Sequence, residues 1–201
     1  MFKKVIFTSK TNIFNFLVNN WSFTESESKT KFEIYKWFFN FSDTSEEIIL
    51  CKVEEDNLSL FEAITFVFEN YNIIRVISLD FATSLDNNLF WKGDILAPNT
   101  FITEDSLPPV FLENVADNNY QIWDFWFLMN WVCYSKIWEI SDEKFSHLKS
   151  EAVDIIDDNA YALVTNSEIK WLKENTIILR AIDTENEVVL HNLFEILEII
   201  I

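Results

Sequence analysis

The stretch Glu46–Leu79, EEIILCKVEEDNLSLFEAITFVFENYNIIRVISL, contains the clearest succession of predicted elements in the chain. Glu46–Glu54 has the isoleucine and valine content of a β-strand. Ser59–Glu62 fits the capping box of a helix start, and apolar residues then repeat at helical spacing up to Tyr71. Ile73–Leu79 is again rich in β-branched residues. Strand, helix and strand in this order predict one right-handed βαβ crossover.

A second stretch, Tyr120–Trp138, contains four of the eight tryptophans of the chain. Its large side chains recur at steps of three or four residues, the spacing of one helical face, and the opposite face is also apolar. A helix that is apolar nearly all round lies inside a protein, so we expect a buried central helix here. Two alternatives stay open. One is a pair of short strands that break near Asn130, and the other is a membrane span, which Asp124 and Lys136 disfavour.

The rest of the chain supplies further elements. Strands are predicted over Phe2–Thr8, Lys31–Phe41, Ala160–Thr165, Thr176–Ile182 and Glu187–Leu190, and helices after Thr11, after Ser141 and over 190–201. The segment 80–119 lacks regular periodicity and contains the only glycine and all three prolines, so we expect a long irregular connection. Together these elements predict one compact domain, residues 1–201, of the α+β or mixed α/β class, with a mainly antiparallel sheet flanked by helices.

The composition restricts the possible partners. The 201 residues include 33 acidic and 15 basic side chains, for a net charge of −18, and 49% of them are hydrophobic. This apolar content is sufficient for a sizeable core and argues against disorder. Most of the acidity follows residue 40: residues 1–40 carry +3, 41–118 carry −12 and 119–201 carry −9. Binding to phosphates needs clustered lysine and arginine, so the charge argues against nucleic acid and anionic lipid and favours a basic protein partner.

The inventory of reactive residues is small. A single glycine excludes glycine-rich phosphate loops and dinucleotide-binding fingerprints. Neither His147 nor His191 has a metal-ligating companion at helical spacing, so we expect no metal and no cofactor. Cys51 and Cys133 lie in apolar runs and are predicted to be buried free thiols, although a disulfide between them stays open. The first residues resemble a signal peptide but lack its cleavage site, so we expect a cytoplasmic protein.

The candidate partner-binding residues are acidic, except for the aromatic Trp91. We interpret most of the acidic groups as solvated caps and turns, and a surface for a cationic partner as the main functional alternative. The residues are Glu54, Glu55, Asp56, Asp86, Trp91, Asp94, Glu104, Asp105, Asp154, Asp157 and Asp158.

Three functions from different classes are compatible with these features. The first is an acidic protein that binds and neutralises a basic partner such as a toxin or nuclease, as immunity proteins do, with electrostatic steering and anchors such as Trp91 or Trp123. The second is a nucleic-acid mimic that inhibits a nuclease or a defence complex, which requires regular rows of carboxylates. The third is an enzyme of unrecognised type. Because no catalytic motif is found, the sequence favours the first function and predicts that the protein is not an enzyme.

Overall fold

Helices cover both faces of one mixed β-sheet in the computed structural model of the protein. The structure describes residues 3–41, 44–86, 89–103, 107–112, 121–122, 125–126, 131–136, 139–169, 172–182 and 186–201. The strands are β1 (Lys3–Thr8), β2 (Thr24–Ser28), β3 (Phe32–Phe41), β4 (Thr44–Val53), β5 (Ile73–Ser84), β6 (Ile95–Leu96), β7 (Thr100–Ile102), β8 (Val110–Phe111), β9 (Gln121–Ile122), β10 (Phe125–Trp126), β11 (Val132–Ser135), β12 (Ile155–Asp157) and β13 (Thr176–Ile182). The helices are α1 (Thr11–Trp21), α2 (Asn57–Asn70), α3 (Asp142–Ser150), α4 (Ala160–Ile169) and α5 (Glu187–Ile200), and Lys173–Asn175 forms a 3-10 turn.

Eleven of these strands form one sheet in the order β2-β3-β4-β1-β5-β12-β11-β7-β8, with β13 beside β5 and β6 beside β13. The single domain is of the mixed α/β class, as predicted. β1 pairs in parallel with β4 and β5, β13 with β5, and β11 with β12 and β7. The other five pairs are antiparallel, so the sheet is evenly mixed and the expected predominance of antiparallel pairs is wrong. Each parallel pair needs a long crossover, and these crossovers carry most of the helices.

The predicted strand, helix and strand are β4, α2 and β5. Both strands run parallel to β1, which is inserted between them. The cap lies three residues earlier than the capping box predicts, because Asp56 and not Ser59 is the cap. Its carboxylate accepts a hydrogen bond from the Ser59 backbone N–H at 2.8 Å. Ser59 therefore lies within the first turn, where it is fully buried.

Alternate residues of β1 contact different helices. Val5 and Phe7 pack in one core with residues of α2 and α4, and Ile6 packs in a second core with residues of α1 and α5. Helices therefore cover the central strands on both faces. Strands of this kind are apolar throughout and do not alternate with polar residues.

The predicted buried helix over 120–138 is wrong for the part of it that the structure describes. β9 and β10 pair as a two-stranded antiparallel ribbon, and β11 lies inside the large sheet between β7 and β12. The alternative of short strands agrees with these residues. Cys133 and Tyr134 of β11 are almost completely buried, and a strand buried on both faces gives a continuous apolar run that periodicity cannot distinguish from a buried helix. The remaining residues of the stretch lie outside the described ranges.

Two segments predicted as short strands are helices. α4 includes 160–165, and its Ala160 and Val164 are fully buried. A helix buried on most sides has no amphipathic period, so its β-branched residues dominated the prediction. α5 includes 187–190, and the side chain of Asn186 caps it by accepting a hydrogen bond from the Val188 N–H at 3.1 Å.

The segment 80–119 contains the end of β5 and the short strands β6, β7 and β8 within its described residues. Gly93 has a φ of 100°, which a residue with a Cβ atom rarely adopts. Its N–H donates to the Ile182 carbonyl at 3.0 Å, and the Asp94 carbonyl accepts from the Ile182 N–H at 2.9 Å. This turn is therefore attached to the end of β13.

Two other predictions concern the whole chain. Cys51 and Cys133 are buried and free, as the sequence predicts. Among the residues that the structure describes, no helix has both the length and the apolarity needed to cross a membrane.

Candidate functional site

The ends of several strands meet beside the middle of β5. This strand pairs with β1 up to Ser78 and with β12 from Thr83. Residues 79–82, which pair with β13, lie between these two regions. β11 and β12 are parallel and end in register at Ser135 and Asp157. In α/β sheets, ligands bind beyond the carboxyl ends of strands where the strand order changes. We therefore place the candidate site at this change of partner along β5.

A fully buried arginine, Arg180 of β13, lies at the centre of the site. Its Nε donates to Asp157 Oδ2 at 2.7 Å, and its Nη2 donates to Asn159 Oδ1 at 2.8 Å. Its Nη1 donates to Ser78 Oγ at 3.0 Å and to the Leu179 carbonyl at 2.9 Å. A buried charge is tolerated only when it is paired and its hydrogen bonds are made, and Arg180 meets both conditions.

The carboxylate of Asp157 is held from three sides. Besides the Arg180 guanidinium, it accepts hydrogen bonds from the Ser135 hydroxyl at 2.5 Å and from the Ala160 N–H at 3.0 Å. The Ser135 hydroxyl oxygen in turn accepts from the Tyr161 N–H at 2.8 Å. These contacts attach the ends of β11 and β12 to the first turn of α4.

A second buried carboxylate, Asp80 of β5, connects two loops. Its Oδ1 accepts from the Thr8 hydroxyl at 3.2 Å, the Ser9 N–H at 2.9 Å and the Ser9 hydroxyl at 3.1 Å. Its Oδ2 accepts from Asn159 Nδ2 at 2.7 Å. Burial raises the pKa of Asp80 above its ordinary value, while Arg180, the Asn159 amide and the Ser9 amide act in the opposite direction. Asp80 therefore joins the β1–α1 connection to the β12–α4 connection.

Four charged side chains form a rim above this buried network. Lys10 Nζ lies 2.8 Å from Glu55 Oε1 and 3.7 Å from Asp158 Oδ2, and Lys136 Nζ lies 3.2 Å from Asp158 Oδ1. Since one carboxylate oxygen of Glu55 and one of Asp158 contact the same ammonium, these oxygens are at most about 6.5 Å apart. The side chains of Glu55 and Asp158 are 62% and 37% exposed, so both carboxylates are accessible from solvent.

The neighbouring carboxylates keep Lys10 protonated. Partial burial alone would lower the pKa of its ammonium, but the hydrogen bond to Glu55 and the charges of Asp80, Glu55 and Asp158 outweigh burial and raise that pKa. Lys10 is therefore positively charged at neutral pH.

Three of the predicted binding residues, Glu55, Asp157 and Asp158, belong to this site. Glu54 is exposed at the end of β4, and Asp56 caps α2. Glu55, Asp157 and Asp158 contact lysine or arginine side chains of the same chain. Their binding of a partner stays a prediction.

The other predicted residues lie elsewhere. Trp91 is 75% exposed, and its N–H donates to Asp94 Oδ2 at 2.8 Å within the turn that is attached to β13. Asp86 follows the end of β5, and its carbonyl accepts hydrogen bonds in the next turn. Asp154 precedes β12, and its Oδ2 accepts from the Val132 N–H at 2.7 Å. Glu104 and Asp105 lie outside the described ranges.

Sequence reasoning missed the residues that organise the site. Asp80 and Arg180 each stand in an apolar strand, ISLDFA and IILRAI, where they are nearly or fully buried. A charged residue is almost never fully buried unless it has a partner, so one acidic and one basic side chain in two such strands could have indicated a buried pair. No comparable signal marks Lys10, Ser135 or Asn159. Within the described part of the chain, no group of three or more histidine, cysteine, aspartate and glutamate side chains could hold a metal ion.

Comparison with known proteins gives a consistent result at the level of structure only. No protein-family model matches the sequence, and no curated protein does. A mutant of the futalosine hydrolase of Helicobacter pylori strain 26695 is similar in structure, with a TM-score of 0.76, 13% identity and coverage of 100% of this chain and 98% of that chain. The 5'-methylthioadenosine/S-adenosylhomocysteine nucleosidase of Campylobacter jejuni has a TM-score of 0.74, 14% identity and coverage of 98% and 96%. The corresponding nucleosidase of Neisseria meningitidis has a TM-score of 0.73, 12% identity and coverage of 94% and 90%.

These similarities contradict the predicted immunity-protein-like inhibitor and the prediction that the protein is not an enzyme. The chain has the fold of nucleosidases over its whole length, which favours the alternative of an enzyme of unrecognised type. The prediction failed because net charge reports on solubility and association and carries no information about the fold. The basic protein partner and the absence of direct nucleic-acid binding stay predictions.

Proposed function

We propose that the protein is a nucleosidase that hydrolyses the bond between the base and the sugar of a purine nucleoside. The observation that supports this most strongly is the similarity of the whole chain to solved nucleosidases, with TM-scores of 0.73 to 0.76. The location of the ionised groups supports it as well, because they lie at the carboxyl ends of strands where α/β enzymes bind their substrates. Since a fold alone does not define an activity, the proposal depends on what these groups can do.

Hydrolysis of such a bond needs a proton for the leaving base and an activated water for the sugar carbon. Positioned carboxyl groups can supply both functions. Glu55 and Asp158 are accessible to solvent, and both contact the Lys10 ammonium. We assign the two proton-transfer roles to this pair, with Lys10 keeping the two carboxylates at a fixed separation.

The charge of the site fits the transition state of this reaction. Glycoside cleavage passes through a sugar with oxocarbenium character and therefore with positive charge. Once the acid of the Glu55–Asp158 pair has given its proton to the leaving base, the four carboxylates Asp80, Asp157, Asp158 and Glu55 exceed the cations Arg180, Lys10 and Lys136 by one charge. Fixed negative charge close to a developing positive charge lowers the barrier, and it costs no reorganisation when the groups are already held.

The test is direct. The purified protein is incubated with 5'-methylthioadenosine, S-adenosylhomocysteine, adenosine and inosine, and the released base is measured by chromatography beside a known nucleosidase. We expect base release from at least one nucleoside and a loss of about 10²- to 10⁴-fold in kcat for Asp158→Asn, the range of general acid–base catalysis. Glu62→Gln is the matched control because Glu62 is also an exposed carboxylate paired with a lysine, Lys31, outside the site. A folded protein that releases no base from any of the four nucleosides would overturn the proposal.

A cytoplasmic location is part of the proposal. Two buried, free cysteines, Cys51 and Cys133, agree with a reducing compartment, where thiols stay unpaired. Cell fractionation with an antibody against the protein tests this, and recovery of the protein outside the cytoplasmic fraction would contradict it.

A further inference from the structure

The buried carboxylate of Asp80 has no access to a substrate, yet it joins the two loops that carry Lys10 and Asp158. Resting on the function proposed above, we propose that Asp80 is a positioning residue that holds Lys10 and Asp158 in their working arrangement. Its side chain is hidden beneath the rim, so it acts through its hydrogen-bond partners.

The first loop is fixed through Thr8 and Ser9. Asp80 Oδ1 accepts three hydrogen bonds from these two residues, at 2.9 to 3.2 Å. The next residue is Lys10, whose N–H donates to the Thr8 hydroxyl at 3.2 Å. The backbone of Lys10 is therefore held at the end of β1, and its ammonium extends from there to Glu55 and Asp158.

The second loop is fixed through Asn159. Asp80 Oδ2 accepts from Asn159 Nδ2 at 2.7 Å, and Asn159 Oδ1 accepts from Arg180 at 2.8 Å. Asp158 lies between Asn159 and Asp157, and both neighbours contact the same guanidinium. The backbone of Asp158 therefore has little freedom, and its carboxylate points to the rim.

A gain in stability does not explain why residue 80 is an aspartate. Desolvating an ionised group is costly, and well-packed apolar groups often replace buried ion pairs without loss of stability. Asparagine, the neutral isostere of Asp80, cannot replace it alone. The Ser9 N–H and Asn159 Nδ2 both donate, so the amide nitrogen of the new side chain would face a donor at either position.

This conflict suggests an exchange experiment. Asp80→Asn alone breaks the contact with Asn159. In the double variant Asp80→Asn/Asn159→Asp, the new amide can donate to the new carboxylate, which also stays within reach of Arg180. We expect Asp80→Asn to lower kcat about 100-fold with a change in KM below about 3-fold, because a shift of about 1 Å in reacting groups costs that much. The double variant should recover at least about 10-fold of the loss.

A weaker variant covers the case in which Asp80→Asn does not fold. Ser9→Ala keeps the carboxylate and removes one of its donors. It should lower kcat about 10-fold per folded molecule and lower the melting temperature less than Asp80→Asn does. Glu62→Gln should leave kcat unchanged. If Asp80→Asn or Ser9→Ala has the wild-type kcat per folded molecule, or if the exchange restores the melting temperature without restoring kcat, Asp80 is only structural and the proposal is overturned.

A measurement that does not depend on catalysis tests the positioning role of Asp80 separately from the proposed function. The pKa of Lys10 is measured by NMR of ¹³Cε-labelled lysine, with Lys10→Met for assignment. Asp158→Asn should lower this pKa when Asp80 is present and change it much less in the Asp80→Asn background, where the pair is no longer aligned. Equal shifts in both backgrounds would overturn the positioning role. An inactive wild-type protein that still shows the unequal shifts would refute the nucleosidase function and leave the positioning role supported.

Discussion

Removing the guanidinium of Arg180 should destabilise the fold strongly. Arg180→Met keeps a long apolar stem of similar volume but deletes hydrogen bonds to Asp157, Asn159, Ser78 and the Leu179 carbonyl. Asp157 then loses its ion pair, and Asp80 loses the favourable charge of Arg180. Removal of one partner of a buried ion pair costs about 3–5 kcal/mol, and we expect the free energy of unfolding to fall by this amount at pH 7.

We measure urea unfolding by tryptophan fluorescence and compare the midpoints of the variant and the wild type. A lower midpoint with an unchanged slope reports a loss of stability. The matched control is Lys31→Met, which removes the cation of an exposed pair whose Nζ lies 2.9 Å from Glu62 Oε1. Exposed pairs contribute little to stability, so the control should unfold close to the wild-type midpoint. A loss below about 1 kcal/mol for Arg180→Met would refute the reasoning.

The pH dependence gives a second check on the same variant. In the wild type, burial raises the pKa of Asp80 and Arg180 acts against it, so removing Arg180 raises this pKa further. A carboxyl group with a higher pKa in the folded than in the unfolded state stabilises the fold at low pH, and that contribution is lost as the pH rises through the raised pKa. The deficit of Arg180→Met should therefore be smaller at pH 5 than at pH 8, and adding Asp157→Asn should recover part of it. An equal deficit at both pH values would contradict this explanation.

Three further predictions concern other parts of the molecule. Burial raises the pKa of Asp154 despite its hydrogen bond from the Val132 amide, so wild-type stability should fall more between pH 4 and pH 7 than that of Asp154→Asn, as measured by urea unfolding. Burial raises the pKa of the Cys51 and Cys133 thiols, so a thiol reagent such as Ellman's should modify neither in the native protein and both in guanidinium chloride; rapid native reaction would contradict their burial. Asp56→Ala should lower the free energy of unfolding by about 0.5–2 kcal/mol, because the α2 cap is lost. Glu54→Ala, at an exposed position nearby, should leave the free energy of unfolding nearly unchanged.

The sequence was informative where local signals and tertiary structure agree. The β4–α2–β5 unit was predictable because a helical repeat of apolar residues separates two β-branched runs, and only the cap residue was misplaced. The same rules failed at α4 and β11. Both elements are buried nearly all round, so a helix with β-branched residues and a strand with aromatic residues lost the periodicities that distinguish them.

The site was less predictable than the fold. Asp157, Asp158 and Glu55 were named for their acidity, but nothing local brings the β4–α2 connection to the β12–α4 connection. That proximity depends on β1, which lies between β4 and β5, and on β12, which approaches β5 from the other direction. Residues 10, 55, 80, 158 and 180 meet through sheet order, and sheet order depends on packing across the whole chain.

The placement of β13 beside β5 has a consequence for synthesis. Thr176 pairs with Val76, so the ribosome must add 100 residues before β5 can gain this neighbour. At about 5–20 residues per second, the edge of β5 stays open for several seconds in the nascent chain. Pairings between such distant residues also slow refolding, since long loops must close before the contacts form. Chaperone demand should therefore be greatest for nascent chains that end before residue 176, and these truncated chains should aggregate far more readily than the complete protein.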